Sequence, residues 1–363
     1  IHSLAAVTRA VCDLVKERGA EPFIVPAMGS HGGSTAEGQR ALLCAKGISE
    51  ETMGVPIRAT MEVDEIAHAD DGRPIYLDRY AHAADGIILI NRVKAHTSFQ
   101  GPYESGLMKM MAIGLGKQHG AETYHRTGYK VMPALIADVG RKVTENANIL
   151  FGVATIENGY SHLARVYGVE GKEIPLREPA LLEESKRYLA RSFYTELDAL
   201  IVERIGKEIS GTGLDPNVTG RFATSFYHND IHINKIGILS LTEASDGNAT
   251  GVGFGDAITY RLRDAINPEM TYPNVLTSTV MGIAATPISF ATDKQVVQAI
   301  VKCSNAVHEE DVRLSIIRST KDLDFIYVSE NMAVEARSKG MEVVGTPFDI
   351  PFDAAGNLLL DYQ

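Results

Sequence analysis

The sequence predicts an α/β fold of two domains whose sheets are largely parallel. Its 363 residues are 45% hydrophobic and 22% charged, a globular composition with enough chain for two domains. Helical apolar periodicity alternates with short apolar runs, and this alternation is typical of parallel sheets covered by helices. We place the domains at 1–195 and 196–363, with the candidate site in the cleft between them. An alternative in which the last residues return to the first domain stays open.

The first domain starts with an amphipathic pattern over residues 3–18, which predicts a helix that Gly19 ends. The apolar run 22–27 predicts a buried strand. Ser34 followed by Glu37 predicts a capping box at the start of the next helix. Further strands are predicted over 75–77, 86–90, "ILFGVATI" and "HLARVYGVEG", and further helices over 131–145 and "PALLEESKRYLARSF".

The second domain opens with the run "LDALIVERIG", which predicts a strand. More strands are predicted over "IGILSLTEAS", "RLSIIRST" and "LDFIYVSE", and helices after Gly255 and over 292–303. No internal repeat interrupts this pattern.

Composition argues against several classes of partner. The net charge of −11 disfavours nucleic acid or an anionic membrane surface as the main partner. No apolar stretch approaches the roughly 20 residues of a membrane helix. Three scattered cysteines predict neither a disulfide framework nor a thiolate zinc site, which fits a cytoplasmic protein. The chain begins at Ile1 without a methionine, so we expect residues before it.

A glycine-rich turn, "PAMGSHGGSTAEGQ", places His31 between a predicted strand and a predicted helix. Glycines let a backbone approach a ligand closely, and amides at a helix N-terminus suit anions. We therefore expect Gly29, Gly32 and Gly33 to contact a bound cofactor. The alternative is an ordinary glycine turn that carries a surface histidine.

A second histidine, His96, also follows a predicted strand, in "GIILINRVKAHTS". Since the carboxyl ends of parallel strands share one rim of a sheet, His31 and His96 could form an acid–base pair near neutral pH. The alternative is that His96 only caps the helix that follows.

Three lysines and an arginine that could bind a ligand lie between residues 94 and 126. Lys109 lies among leucine and methionine, where an amine can lose its proton and act as a nucleophile. The alternative is a lysine that reaches along an amphipathic helix to solvent. Lys94, Lys117 and Arg126 add positive charge, which suits an anionic ligand such as a phosphate or carboxylate, and equally a solvated surface loop.

The order His31, His96, Lys109, His125 resembles the nickel-dependent lactate racemase family over roughly residues 20–130. That resemblance implies a nickel-pincer nucleotide, in which a pyridinium-derived mononucleotide holds nickel through sulfur and a ring carbon. It implies that His31 and His96 are the acid–base pair, that Lys109 carries the cofactor and that His125 completes the nickel coordination. Lys117 is expected to contact the cofactor as well.

The resemblance further implies racemisation or epimerisation of a 2-hydroxy acid, and dependence on cofactor-synthesis enzymes. The sequence departs from the family at Gly106–Lys109, which lacks the usual pair of glycines before the lysine, so noncovalent cofactor binding stays open. No counterpart of the family's substrate-binding arginine is evident, and tryptophan is absent. Lys294 and Gln298 are the counterparts of a substrate-binding lysine–glutamine pair, or else lie on a solvated helix face.

Two other functions remain compatible with these residues. One is a zinc- or iron-dependent lyase or hydrolase that uses the same histidines. The other is a non-catalytic protein that binds an anion or nucleotide through His31 and His96. The substrate's identity is undetermined at this level, and a homo-oligomer is left open.

Overall fold

The computed structural model describes residues 1–362 and divides into two compact units, 1–189 and a second unit from Ala190 onward. This division lies near residue 195, where the sequence pattern placed a domain boundary. Helices and sheets alternate through both units, and the second contains a six-stranded, largely parallel sheet. The predicted α/β class is therefore confirmed.

The first unit has eight helices within the described residues: α1 (Leu4–Glu17), α2 (Ala36–Cys44), α3 (Glu50–Met53), α4 (Arg79–His82), α5 (Leu107–Lys109), α6 (Lys117–His125), α7 (Met132–Asn146) and α8 (Ile174–Tyr188). Its strands are β1 (Val63–His68), β2 (Pro74–Asp78), β3 (Ile87–Arg92), β4 (Ile149–Glu157) and β5 (Leu163–Glu170). A β1–β2 hairpin and a three-stranded sheet, β3–β4–β5, result.

The sheet of the first unit is mixed, which corrects the expectation of a largely parallel one. Strand β4 is parallel to β3 but antiparallel to β5. The cause is the short turn 158–162 between β4 and β5, since a parallel pair needs a crossover of a dozen or more residues.

Two predictions about the entry to the glycine loop are wrong. The run 22–27 is not a strand, because a single bridge from Ile24 to Ile57 is its only pairing. Pro22 and Pro26 have no N–H to donate to a ladder. The next helix is capped by Thr35 and not by a Ser34 capping box; the Thr35 hydroxyl accepts the Gly38 N–H at 3.0 Å.

The helices of the second unit are α9 (Pro216–Thr219), α10 (Tyr260–Ala265), α11 (Pro268–Ser278), α12 (Asp293–Lys302) and α13 (Ala333–Ser338). Its strands are β6 (Glu196–Ile205), β7 (His232–Leu241), β8 (Ala257–Thr259), β9 (Ile288–Phe290), β10 (Leu314–Ile317) and β11 (Tyr327–Val328). Their order is β11–β10–β6–β7–β8–β9, and only the edge strand β11 is antiparallel to its neighbour. The helix predicted after Gly255 begins at Tyr260, because the strand β8 lies between the two.

The core of the second unit lies on both faces of this sheet. Along β6, Leu200 and Val202 belong to one buried cluster while Ala199 and Ile201 belong to another. Burial on both faces explains the near-continuous apolar sequence of β6.

The C-terminal segment packs within the second unit. Phe352, Leu358 and Leu360 contact the cluster that contains Ile201. These apolar side chains cover that face of the sheet, so the alternative in which the last residues return to the first domain is wrong. None of the helices described within residues 1–362 combines the length and apolar character needed to cross a membrane.

Candidate functional site

The loop that carries His31 depends on glycine backbone conformations. Gly29, Gly32 and Gly33 have positive φ angles of 58°, 69° and 62°. A Cβ on Gly32 would lie 2.6 Å from the Gln39 backbone nitrogen, so this glycine also allows the loop to pack on α2. A Cβ on Gly33 would meet only open space. The loop is thus tightly packed against α2 at Gly32 and open to solvent at Gly33.

His31 is exposed, and its hydrogen bond defines its neutral tautomer. The ring Nδ1 lies 2.8 Å from the Met28 carbonyl oxygen. Because a carbonyl oxygen can only accept, Nδ1 must carry the proton and donate. The Nε2 lone pair of His31 is consequently available to accept a proton from a ligand.

His96 has the opposite tautomer. Its Nδ1 accepts the Ser98 backbone N–H at 3.0 Å, so the proton of the neutral ring is on Nε2. The imidazole stacks on Phe99, with ring centroids 4.2 Å apart. His96 therefore presents a donor where His31 presents an acceptor. The alternative in which His96 only caps a helix is not supported, because the next helix described along the chain begins at Leu107.

Electrostatic coupling relates four predicted site residues to one another. Burial, followed by the charges of Lys109, Lys94 and His125, lowers the pKa of His96 well below its usual range. Burial, followed by Lys109 and His31, lowers the pKa of His125 to about 4. The His96 ring and the Lys109 amine both lie against the Phe99 ring, at 4.2 and 5.4 Å from its centroid, and the rings of His96 and His125 each lie 6.2 Å from that of Tyr129. These contacts place the three side chains in one cluster, and the effect of His31 on the pKa of His125 relates the glycine-rich turn to it.

Lys109 is half-buried with its amine above an aromatic ring. Its Nζ lies 5.4 Å from the Phe99 ring centroid. Burial, followed by repulsion from Lys94, lowers the pKa of Lys109 to about 7, while Glu104 acts in the opposite direction. The chain continues from α5 into a π-helical turn, Met110–Gly114, a distortion that is frequent at functional sites.

We expect the amine of Lys109 to react with an acylating reagent half-maximally near pH 7, because much of it is uncharged there. An unperturbed lysine would reach half-maximal reaction only at a pH of about 10.4. Peptide mass spectrometry of the full-length protein, labelled briefly between pH 5 and 10, measures this, with exposed Lys294 as the reference in each digest. A midpoint for Lys109 above pH 9 would contradict the expectation. The groups that act on this amine are Lys94, Glu104, His96 and His125.

Glu104 is a site residue that sequence reasoning missed. It is buried, and its carboxylate accepts the backbone N–H of His96 at 2.7 Å. Lys186, on α8, forms an ion pair with it at 3.1 Å. Burial raises the pKa of Glu104 above its usual value, and these contacts partly oppose that. Glu104 thereby fixes the segment that displays His96.

Glu178 plays the corresponding part for Lys109. This residue of α8 is 1% exposed and accepts the backbone N–H of Met108, in α5, at 2.9 Å. Its Oε1 has no hydrogen-bond partner among the described residues, and burial raises its pKa to about 7. Gly106 leaves room for the carboxylate, since a Cβ there would lie 2.4 Å from Oε1. No local motif reveals either glutamate, because each acts through a backbone N–H, eight residues away for Glu104 and 70 residues away for Glu178.

Lys117 is not placed to contact a cofactor, contrary to the sequence-based prediction. It is 0% exposed, and its ammonium lies 3.0 Å from Asp78 Oδ2. It also donates to the Pro26 carbonyl oxygen and to Gln39 Oε1. The ammonium thus has two hydrogen bonds and one ion pair within the protein, and Lys117 is a structural residue that contacts the His31 loop through Gln39.

Lys294 and Gln298 lie on the exposed face of α12 in the second unit. No hydrogen bond or ion pair of either side chain is found among the described residues, so their role in substrate binding stays a prediction. Within residues 1–362, no group of three or more His, Cys, Asp or Glu side chains is arranged to hold a metal ion. A zinc or iron ion held by side chains alone therefore has no supporting ligand set there.

A cavity of about 420 Å³ lies in the second unit, beside the first residues of β6 and β7. It contains none of the predicted site residues. Its two arginines are already paired, Arg221 with Asp256 at 2.6 Å and Arg313 with Glu335 at 2.8 Å. We therefore place the candidate site at the coupled histidines and lysines of the first unit.

Comparison with known proteins supports the fold. A family model described as a domain of unknown function, DUF362, matches residues 3–170, which include His31, His96, Lys109 and His125. No curated protein matches the chain. A solved structure from Thermotoga maritima is similar with a TM-score of 0.51 and 14% identity, covering 89% of this chain and 90% of that one.

The chain is also similar to the lactate racemase apoprotein from Thermoanaerobacterium thermosaccharolyticum. The TM-score is 0.50 at 12% identity, and the match covers 87% of this chain and 82% of that chain. At such identities the likeness concerns the fold, and the chain has a lactate-racemase-like α/β fold.

Proposed function

We propose that this protein is a racemase or epimerase of 2-hydroxy acids that uses a nickel-pincer nucleotide. The observation that carries the proposal is the cluster of His96, Lys109 and His125 around the rings of Phe99 and Tyr129, with His31 near enough to His125 to act on its pKa. The similarity in fold to a lactate racemase apoprotein supports it. Proton acceptance and proton donation are what interconversion of two enantiomers requires on the substrate hydroxyl.

The residues present fit such a cofactor. The imidazole of His125 is uncharged at neutral pH, as a metal ligand must be, and a cofactor-borne nickel needs only this one protein ligand. Lys109 supplies an amine that is about half uncharged near pH 7, suited to attachment or to close contact. The buried rings of Phe99 and Tyr129, with centroids 6.0 Å apart, pack beside these residues. When bound, the group would supply an acceptor for the hydride on the α-carbon of the substrate.

The chain's own residues would handle the proton and the negative charge. His31 Nε2 accepts the hydroxyl proton of one enantiomer, since its Nδ1 is held as a donor by Met28. His96 Nε2–H donates a hydrogen bond to the substrate oxygen, and the proton that His31 has taken up returns to that oxygen when the other enantiomer forms. Lys94, whose charge acts on both His96 and Lys109, attracts the substrate carboxylate, since no counterpart of the family's arginine is evident.

The test is elemental analysis of tag-free protein produced together with the cofactor-synthesis enzymes and supplied with nickel. We expect near-stoichiometric nickel that depends on those enzymes, followed by racemisation of a 2-hydroxy acid in a polarimetric or chiral-chromatography screen. The matched variant His125→Ala should lose the nickel.

Two results would overturn the proposal. One is an absence of nickel from protein made with the synthesis enzymes. The other is nickel that binds equally without them, which indicates an ordinary metal site. Full nickel retention by His125→Ala would instead reject the assignment of that ligand.

A further inference from the structure

The sheet of the second unit has a point at which its strand order reverses. From β6 the chain adds β7, β8 and β9 on one side, and then returns to add β10 on the other side of β6. Both neighbours are parallel to β6. Open parallel sheets bind ligands outside the carboxyl ends of strands at such a switch point. The loops at this place are 206–214, after β6, and 318–322, after β10.

Residues just before and after the loop 206–214 contact the loop 318–322. The backbone N–H of Asp215 donates to the hydroxyl of Thr320 at 3.1 Å. Arg204, near the end of β6, lies 3.4 Å from the carboxylate of Asp322. The carboxyl end of β6 is thus flanked by polar groups from both sides of the switch point.

Lys207 is a half-buried cation in the first of these loops. Its Nζ donates to the Gly211 carbonyl oxygen at 2.7 Å, and no carboxylate pairs with it within residues 1–362. Glu208, its neighbour in the chain, instead accepts the hydroxyl of Ser245 at 3.1 Å. Burial lowers the pKa of Lys207 to about 8. A desolvated ammonium without a counter-charge is costly, and a bound anion would offset that cost.

The loop around Lys207 is held in one conformation. The backbone N–H of Lys207 donates to Ser245 Oγ at 2.8 Å, and that of Gly206 donates to the Gly213 carbonyl oxygen at 3.2 Å. Gly213 has a φ of 68°, and a Cβ there would lie 2.4 Å from the Thr250 carbonyl oxygen. Because the backbone is fixed before a ligand arrives, little ordering entropy would oppose binding.

We propose that Lys207 and the loop 206–214 bind the oxyanion of a small molecule, a carboxylate or a phosphate, at the carboxyl edge of this sheet. A single lysine on a glycine-containing loop binds such a group as a point charge. The site differs from the cavity beside the first residues of β6, which lies at the opposite edge. It also stands independently of the reaction proposed for the first unit, because its residues belong to another sheet.

The experiment is protection of Lys207 from an amine-reactive label, measured by peptide mass spectrometry on the full-length protein. Inorganic phosphate and lactate are the two probes, each compared with chloride at the same ionic strength. We expect one of them to slow labelling of Lys207 about tenfold at saturation, while the exposed Lys302 is unaffected. Protection by phosphate identifies a phosphorylated ligand, and protection by lactate identifies a carboxylate.

A variant separates binding from other effects of the anions. Lys207→Met should abolish the calorimetric binding of the protecting probe, whereas the exposed-site variant Lys302→Met should retain it. Unchanged labelling of Lys207 with both probes overturns the proposal. Labelling of Lys207 and Lys302 that slows equally overturns it too, because the anions then act on the reagent or on surface charge in general. The labelling arm uses unmodified protein, so a Lys207→Met chain that fails to fold does not leave the proposal untested.

Discussion

The variants His31→Ala and His96→Ala are each expected to lower kcat for racemisation by about 10²- to 10⁴-fold while keeping their nickel. The reason lies in the two tautomers. His31 offers a proton acceptor because Met28 holds its Nδ1–H, and His96 offers a donor because Ser98 holds its Nδ1 lone pair. Removing His31 removes the proton acceptor and removing His96 removes the hydrogen bond to the substrate oxygen, but neither ring is the assigned metal ligand. Chiral chromatography of both directions, with nickel measured on the same samples, checks this.

His125→Ala is the matched control, since it should lose activity together with nickel. The two groups of variants thus separate proton transfer from metal binding. Racemisation that persists within a factor of about three in His31→Ala would rule out its role as the base, because the general-base contribution would then be negligible. Loss of nickel in His96→Ala would show that this ring holds the cofactor instead.

Sequence periodicity was sufficient for the long strands β6 and β7 and the helix α12 of the second unit. It missed the short strands β8 and β9, and it did not give the strand directions in the sheet of the first unit. The apolar run of β6 is long because both of its faces are buried, so it is conspicuous in the sequence. In the first unit the direction of β5 depends on the short turn 158–162, and a strand pattern carries no information about direction. The run 22–27 misled for a related reason, since apolar residues can line an extended segment that prolines exclude from a ladder.

Sequence reasoning could find only those site residues whose type and position in the chain are enough to suggest a role. His31 and His96 follow apolar segments and stand beside small or polar residues, so their position in loops could be expected. Glu104 and Glu178 could not be found in this way. Each acts through a backbone N–H, and Glu178 reaches a segment 70 residues away. A charged residue's burial is likewise invisible locally, and for that reason Lys117 was taken for a ligand contact.

Lys117→Met is expected to destabilise the first unit by about 3–5 kcal/mol, because it leaves Asp78 buried without its counter-charge. Both side chains are 0% exposed, and their ionic groups lie 3.0 Å apart. The matched double variant Lys117→Met/Asp78→Asn should recover part of the loss, since an amide retains an oxygen for the Ala81 N–H and carries no charge. Urea unfolding of the full chain, followed by far-UV circular dichroism, measures the free energy of unfolding for all three proteins.

The same substitution should also disturb the His31 loop, because Lys117 and Gln39 connect it to the rest of the unit. Gln39 Oε1 accepts from Lys117 at 3.1 Å, and Gln39 Nε2 donates to the Gly29 and His31 carbonyl oxygens at 2.8 and 3.2 Å. Without the ammonium, Gln39 loses the contact that orients its amide, and faster hydrogen exchange is expected across residues 28–35. A Lys117→Met protein within about 1 kcal/mol of wild type, with unchanged exchange there, would show that the buried pair contributes neither stability nor loop order. Destabilisation with unchanged exchange would confine its role to the contact with Asp78.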